Sequence, residues 1–296
     1  MANSFLSRRA EIIQSIRTFF INRGYLEVDT PIRLPCLIPE AHIEPEQSSG
    51  WFLQTSPEMC MKRLLAAGHR EIFQICRCFR RNERGSRHLP EFTMLEWYRV
   101  GIDYIDLMAE CAGLLRFVAT RVDCPDRSAA ALVAQADWQY LTVQQAFALF
   151  APVSAEQALA EDSFDEILVR DVEPNLGRGR PTFLHDYPAA LGSLARLKNG
   201  DNRVAERFEL YVNGLELANG FSELTDADEQ RLRFIRERAL IEGQGRQPGP
   251  MPDRFLADLG ELQSAAGIAL GVDRLVMLLC GARSIDEVVA FTPENL

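Results

Sequence analysis

The sequence predicts a mixed α+β fold. Strand-like runs connect as hairpins, one over 71–98 through an arginine-rich loop and one over 207–219 through the turn Asn213-Gly214. Long helical stretches interrupt these runs, which favours an α+β sheet over a doubly wound parallel sheet. With 296 residues, of which 47% are hydrophobic, the chain can bury a large core.

The first elements are a helix, a short strand and a proline. Apolar residues recur at helical spacing over 5–22, and Gly24 follows the end of this helix. A short strand over 25–29 then leads into Pro31. Taken by itself, this unit is an amphipathic helix packed on a sheet.

The rest of the chain divides into further strands and helices. Pro57 after Ser56 is suited to the first turn of a helix, because the N–H that proline lacks has no intrahelical partner there. The expected elements are a strand at 51–54, a helix from Pro57 through Leu65, a strand at 71–80, a loop at 81–90, a strand at 91–98, a helix at 103–122, Ala-rich helices over 123–165 with breaks at Pro125 and Pro152, strands near 182–186 and 207–219, a helix at 226–243, a loop at 244–252, and a strand then a helix at 267–281.

Charge and composition exclude several classes of protein. The formal net charge of −10 argues against broad, non-specific binding to nucleic acid, which needs clustered lysines and arginines. The seven cysteines are scattered and odd in number, which indicates a reducing compartment; Cys76 and Cys78 are expected to be same-face thiols on a buried strand rather than half a zinc site. No apolar stretch approaches the ~20 residues of a membrane span, and no secretory signal is visible. We therefore expect a cytoplasmic protein with no membrane partner.

The second hairpin carries two acids that predict a metal site. Its two-residue turn predicts that Val212 pairs with Leu215, Tyr211 with Glu216, and Glu209 with Ala218. Glu209 and Glu216 then project from one face as diagonal neighbours, with Cβ atoms about 7–8 Å apart. Because the strands otherwise look buried, two unpaired acids would be costly without a cation. We expect Mg²⁺ that also carries phosphate oxygens; the alternative is a solvated polar face.

Two arginine-bearing segments, 79–99 and 267–280, lack a P-loop and resemble motifs 2 and 3 of class II aminoacyl-tRNA synthetases, most closely the lysine enzymes. The unit over 5–31 is similar to motif 1, with motif 2 over about 71–99 and motif 3 over about 267–281. The resemblance covers nearly the whole chain. It implies an antiparallel sheet flanked by helices, a single catalytic domain over 1–296 without an anticodon-binding domain, and a homodimer through the motif 1 unit.

The resemblance also implies an ATP site. Arg80 would hold the α-phosphate and stabilise charge as pyrophosphate leaves, whereas Arg274 would stack on the adenine and reach the γ-phosphate, with Phe92 on the other adenine face. The implied catalytic residues are Arg80, Glu209, Glu216 and Arg274, with Glu209 and Glu216 on the metal. The implied ATP-binding residues are Arg80, Arg81, Asn82, Glu83, Leu89, Phe92, Glu209, Leu210, Gly271 and Arg274.

One departure concerns motif 2. The family begins it with Phe-Arg-x-Glu, but here Asn82 takes the place of the acid and Glu83 lies one position beyond. Leu89 likewise replaces the usual asparagine of this motif. Whether Asn82 or Glu83 contacts ATP stays open.

The substrate end of the motifs is similar to that of the lysine enzymes. The resemblance places Glu58 near a substrate amine, and Tyr98 and Glu223 at the side-chain ammonium, which must be paired when buried. Ala269 stands where the synthetases carry glycine, so its methyl would crowd an α-amine and suit a β-amine; the alternative is a neutral substitution. The implied substrate-binding residues are Ser56, Pro57, Glu58, Tyr98, Glu216, Asn219, Glu223 and Ala269.

The function implied by the resemblance is that of truncated lysyl-tRNA synthetase paralogues that modify elongation factor P. These would activate (R)-β-lysine with ATP and Mg²⁺ as an adenylate and transfer it to a lysine ε-amine of elongation factor P, without charging tRNA usefully. One alternative is an amide ligase or activator of free lysine-like small molecules. Another is a catalytically silent paralogue with a regulatory or tRNA-binding role, which the altered motif 2 would support.

Overall fold

The structure is a computed structural model that describes residues 2–296, with side chains from Phe5 onward. Its helices are α1 (Ala2–Ile21), α2 (Glu58–Ala66), α3 (Tyr104–Arg121), α4 (Arg127–Ala134), α5 (Val143–Phe150), α6 (Ala155–Ala160), α7 (Phe164–Ile167), α8 (Ala227–Gly243), α9 (Asp253–Leu259) and α10 (Val272–Cys280). Its strands are β1 (Leu26–Glu27), β2 (Arg33–Leu34), β3 (Gln47–Ser48), β4 (Trp51–Leu53), β5 (Glu71–Phe79), β6 (Glu91–Val100), β7 (Gln139–Thr142), β8 (Thr182–Pro188), β9 (Leu197–Lys198), β10 (Asp201–Val212), β11 (Leu215–Ser222) and β12 (Ala265–Gly271).

The strands form one large sheet and one small sheet. The large sheet has the order β1-β5-β6-β12-β11-β10-β8-β7, and β9 pairs with β10. All its pairs are antiparallel except β1 with β5 and β7 with β8, which lie at the two edges. The small sheet has the order β2-β4-β3. This arrangement confirms the α+β class and the antiparallel sheet.

Alternation along the central strands gives the large sheet two different faces. On β6, Leu95 and Trp97 point into a core formed with α1, α3 and α10, where Phe20 of α1 stacks on Phe73 of β5 with ring centroids 4.8 Å apart. The intervening residues of β6 point to the opposite face, because successive side chains on a strand alternate. One face therefore carries the main core, and the other is free to carry a site.

Several predicted elements are confirmed and others need correction. The predicted helices at 5–22, 103–122 and 226–243 correspond to α1, α3 and α8. The prediction of helix over 123–165 is wrong at Gln139–Thr142, because this segment pairs in parallel with β8. The predicted start of the second helix is also one residue early: Pro57 is its N-cap, and the hydroxyl of Ser56 accepts from the Glu58 N–H at 3.0 Å.

All seven cysteines are free, and the sulfur atoms of Cys76 and Cys78 lie 4.0 Å apart on β5. Within residues 2–296, no group of three or more histidine, cysteine, aspartate or glutamate side chains could hold a metal ion. Over the same part of the chain, no helix has the length and apolar character needed to cross a membrane.

Candidate active site

A cavity of about 780 Å³ lies on the sheet face opposite α1. We call it the large cavity. Alternate residues of four adjacent strands form its floor, because β6, β12, β11 and β10 each present every second side chain to this face. These floor residues are Phe92, Met94, Glu96 and Tyr98 of β6, Gly267, Ala269 and Gly271 of β12, Asn219 of β11, and Arg207 and Glu209 of β10.

Glu209 and Glu216 both line the large cavity. The pairing of the two strands that carry them differs from the prediction. The turn has positive φ at Asn213 (53°) and Gly214 (70°), as a two-residue hairpin requires. Tyr211 pairs with Glu216 as predicted, but the next pairs are Leu210 with Ala218 and Glu209 with Asn219. The predicted pairing of Glu209 with Ala218 is wrong because Leu217 is an extra residue in a β-bulge.

The two acids are not unpaired, which corrects the premise of the metal prediction. Glu209 accepts from the hydroxyls of Tyr187 and Tyr211 and from Nη2 of Arg207, each at 2.6 Å. Glu216 accepts from Nη1 of Arg274 at 3.0 Å. Even so, burial and the neighbouring Glu209 raise the pKa of Glu216, so the two carboxylates repel each other.

The residues present are compatible with Mg²⁺. A metal cation held by both Glu209 and Glu216 would relieve the repulsion that contributes to the raised pKa of Glu216. Two carboxylates are too few to supply all the ligands of a metal ion. They suit Mg²⁺, because this ion keeps several waters and binds further oxygens from substrate phosphates.

Arg80 offers free donors to an anion. It follows β5 at the edge of the large cavity, and its Nε is buried with no hydrogen-bond partner among residues 2–296. Its guanidinium lies 5.1 Å from the ring centroid of Phe92, and its Nη1 is 3.8 Å from a carboxylate oxygen of Glu83. A guanidinium whose buried Nε has an unused N–H is suited to a phosphate oxygen.

The loop after Arg80 separates the two candidates for the motif 2 acid. Glu83 lines the large cavity beside Arg80. Asn82 has φ of +64° and donates to Glu44 at 3.0 Å, and Arg81 pairs with the same carboxylate at 3.1 Å. Arg81 lines a smaller, neighbouring cavity of about 260 Å³. Glu83 is therefore the better placed of the two to meet ATP.

Arg274 lies in the first turn of α10 and is held at the rim by Glu216, by His88 and by the backbone oxygen of Arg87, which accepts from its Nε at 3.3 Å. Besides the carboxylate of Glu216, it donates to the backbone oxygen of Glu216 at 2.9 Å, and its Nη2 lies 2.5 Å from Nε2 of His88. Burial and the adjacent Arg274 lower the pKa of His88, so its ring is neutral and can accept this contact. The sequence analysis assigned no role to His88; its place in the loop of the first hairpin was the available signal.

The opposite end of the large cavity, which we call the amine end, is formed by Ser56, Glu58, Tyr98 and Glu96. Glu96 is buried and accepts from the hydroxyl of Ser56 at 2.6 Å and from that of Tyr98 at 2.7 Å. Burial and the nearby Glu58 raise the pKa of Glu96 to about 8. The sequence analysis missed Glu96, although the alternation from Phe92 to Tyr98 places this acid on the cavity face.

Comparison with known proteins decides the family. The family described as tRNA synthetases class II (D, K and N) matches residues 1–295. The chain belongs to the class II tRNA synthetases. The cavity lined by Arg80, Glu209, Glu216 and Arg274 therefore lies in a class II synthetase domain.

Curated relatives of this class II chain share its full extent. A protein of Proteus mirabilis is 43% identical over 97% of this chain and 94% of its own length. One from Klebsiella pneumoniae subsp. pneumoniae is 42% identical, and one from Salmonella paratyphi B is 41% identical, each over 98% of this chain and 95% of its own length. All three are named elongation factor P–(R)-β-lysine ligase.

Some residues predicted for the class II site do not line the large cavity. Leu210 is fully buried in the core on the other face of β10, and Pro57 lies outside the lining, as do Arg81 and Asn82. Glu223 lies behind the wall and pairs with Lys62 at 2.5 Å. The predicted contacts of these residues with substrate stay predictions. The sequence analysis missed Lys62 and Arg207, although each has an acidic partner nearby in the chain: Glu58 lies four residues before Lys62, and Glu209 lies two residues after Arg207.

Proposed function

We propose that this chain activates (R)-β-lysine with ATP and transfers the activated group to a lysine ε-amine of elongation factor P. The observation that carries the proposal is that one cavity joins a phosphate end, with Arg80 and Arg274, to an amine end, with Glu58 and Glu96. Family membership supports ATP-dependent ligase chemistry. The names of relatives that are 40–43% identical over nearly the full length support the two substrates.

At the phosphate end, this chain's residues would bind and orient ATP. Arg80, with its unused Nε, would hold the α-phosphate, and Arg274 would leave its contacts with His88 and Glu216 to meet the nucleotide. Phe92 and Arg274 would enclose the adenine, as predicted for the family. Glu209 and Glu216 would hold Mg²⁺, which supplies neutralisation of phosphate charge when it is bound.

Two reaction steps account for the ligation. The carboxylate of β-lysine attacks the α-phosphorus of ATP, the bond to the β-phosphate oxygen breaks, and pyrophosphate leaves. The neutral ε-amine of the acceptor then attacks the carbonyl carbon of the mixed anhydride; an amide forms, AMP leaves and the amine loses a proton to solvent. The chain's contribution is to position the reactants and to stabilise phosphate charge through Arg80, which needs no dedicated base.

The amine end supports a long substrate that carries two amines. Glu58 and Glu96 line the cavity at this end with the phenol of Tyr98, so a buried ammonium would meet carboxylates. Ala269 lies between Glu96 of β6 and Asn219 of β11 in the strand register. In the proposed substrate complex, its methyl would face the position where the α- and β-amines differ.

We also propose a homodimer through the unit over 5–31. Near this unit, Ile21, Leu26, Ile32 and Trp51 are large apolar residues that are exposed in the single chain. Such a patch is typical of an interface between subunits. A cytoplasmic location is part of the proposal, because free cysteines are typical of a reducing compartment.

One experiment tests the activity against its alternatives. ATP–pyrophosphate exchange is measured with (R)-β-lysine, α-lysine and a panel of other amino acids, and the mass of elongation factor P is measured after incubation with ATP and the best substrate. We expect exchange with β-lysine and a mass gain of one β-lysyl group on a single lysine. Exchange without a protein product would favour the ligase of free small molecules, and no exchange with any amino acid would favour a silent paralogue.

A further inference from the structure

Lys62 lies behind the amine end of the large cavity, and neither the family resemblance nor the proposed reaction assigns it a role. We propose that Lys62 is a positioning residue that acts through Glu58 and Glu223, holding both as carboxylates that face the amines of the substrate. This inference rests on the proposed function, because it concerns the amine end of the same site.

The geometry of Lys62 supports a role through its partners rather than by contact with substrate. Its side chain is 1% exposed and does not line the large cavity. Its Nζ binds Oε1 of Glu58 one turn earlier on α2 and lies 2.5 Å from Oε2 of Glu223, which directly follows β11. The ring of Phe221 lies 5.0 Å from the ammonium on another side. Lys62 thus joins α2 to the sheet through two acids.

Glu223 keeps one oxygen available for a ligand. Its carboxylate is 1% exposed, and its Oε1 has no hydrogen-bond partner within residues 2–296. This oxygen lies 2.6 Å from the position that a Cβ at residue 267 would occupy, and Gly267 lines the large cavity. Because glycine has no side chain, an ammonium in the cavity can approach Oε1 of Glu223 at this point.

The charges around Lys62 explain why the acids need it. Glu58, Glu96 and Glu223 surround a single ammonium, and the phenol of Tyr98 and the more distant Glu40 are the other titratable groups facing them. Burial raises the pKa of Glu223 to about 8, with Glu58 and Glu96 adding to the rise, while Lys62 is the strongest influence that lowers it. Glu223 and Glu58 in turn raise the pKa of Lys62 to about 12 despite its burial. Without Lys62, Glu223 would bind a proton and lose its negative charge.

Lysine is a rare residue in this chain. Of the 32 basic residues, only Lys62 and Lys198 are lysines. An ammonium is a compact donor that fits between two carboxylates from different elements, whereas a guanidinium is a planar fork. Lys198 pairs with Asp186 outside the large cavity, so it provides a matched control.

The consequence is a dependence of substrate activation on pH. A carboxylate with a raised pKa is present above that pKa and is lost as pH falls through it. Removing the cation at 62 raises the pKa of Glu223 further, so activation is lost at a higher pH than in the wild type. An opposite charge at contact distance shifts a pKa by about 1–3 units, which sets the size of the effect.

The test compares kcat/KM for (R)-β-lysine from pH 6 to 9 by pyrophosphate exchange in the wild type, Lys62→Met and Lys198→Met. In the pH profile of kcat/KM, we expect the acidic limb, where activity falls as pH falls, to lie about one pH unit or more higher in Lys62→Met than in the wild type. The KM for ATP should stay within about twofold of the wild-type value. Lys198→Met should keep the wild-type profile. Lys62→Arg, which keeps a charge, should have its limb nearer to the wild-type position. Lys62→Gln serves as the neutral variant if Lys62→Met does not fold.

Three results would overturn the inference, and they are distinguishable. If the wild type is active and the acidic limb of its pH profile coincides with that of the neutral variant, only the role of Lys62 is overturned. A wild type that exchanges pyrophosphate with no lysine-like substrate overturns the proposed function and this inference with it. A loss of activity in Lys62→Met that is equal at every pH also contradicts it, because a purely structural role predicts that result.

Discussion

Replacement of Ala269 by glycine should change which lysine isomer is activated. Ala269 is directly opposite Glu96 on one neighbouring strand and Asn219 on the other, and all three line the large cavity. The substitution removes one methyl group from the floor between an acid and an amide. In α-lysine the amine stands one carbon nearer to the carboxylate than in β-lysine, so we expect this methyl to collide with the α-amine and not with the β-amine.

The size of the effect follows from the packing of a single methyl. A group that collides with an added methylene in a packed site typically loses ~1–3 kcal/mol. That range corresponds to about tenfold to hundredfold in the ratio of kcat/KM values. Glycine in a strand also costs roughly 0.5–1 kcal/mol in stability, so the variant should fold and bind ATP normally.

Pyrophosphate exchange with both isomers on both proteins measures the ratio. Ala266→Gly is the matched control, because it makes the same backbone change on the same strand, with a side chain buried in the core on the other face. We expect Ala269→Gly to gain activity with α-lysine and Ala266→Gly to keep the wild-type ratio. An unchanged ratio in Ala269→Gly would refute the steric argument and direct attention to Glu58 and Ser56.

Three further predictions concern the metal, the dimer and tRNA. Glu216→Gln should lower adenylate formation by several kcal/mol of transition-state stabilisation; wild-type exchange rates in this variant would contradict a metal role. The chain should be a homodimer at micromolar concentration by light scattering, with Trp51→Glu shifting it toward monomer, and a monomeric wild type would exclude that interface. Aminoacylation of tRNA-Lys should be negligible, since the relatives matched over their own length are named as protein ligases; charging at the level of a full-length synthetase would disprove this expectation.

The sequence alone determined the parts of this protein that depend on local chemistry. The apolar stripe of α1, the Asn213-Gly214 turn and the alternation on β6 are set by residues close together in the chain, and all three are present. The shared face of Glu209 and Glu216 was predictable for the same reason. The order of the motifs along the chain also indicated the family, because its arginines and acids occur at characteristic positions in these motifs.

Only the tertiary structure decided how the charges are paired. The bulge at Leu217 changes the partner of Glu209, and no turn rule predicts one extra residue in a strand. The segment Gln139–Thr142 is a strand because β8 offers it a free edge. Arg274 pairs with Glu216, and Lys62 pairs with Glu223, across elements that are distant in the chain. Spacing along the chain shows which side chains share a face, but a buried charge is stabilised by whatever the fold brings within a few ångströms, and Lys62 meets Glu223 only because α2 packs against the sheet.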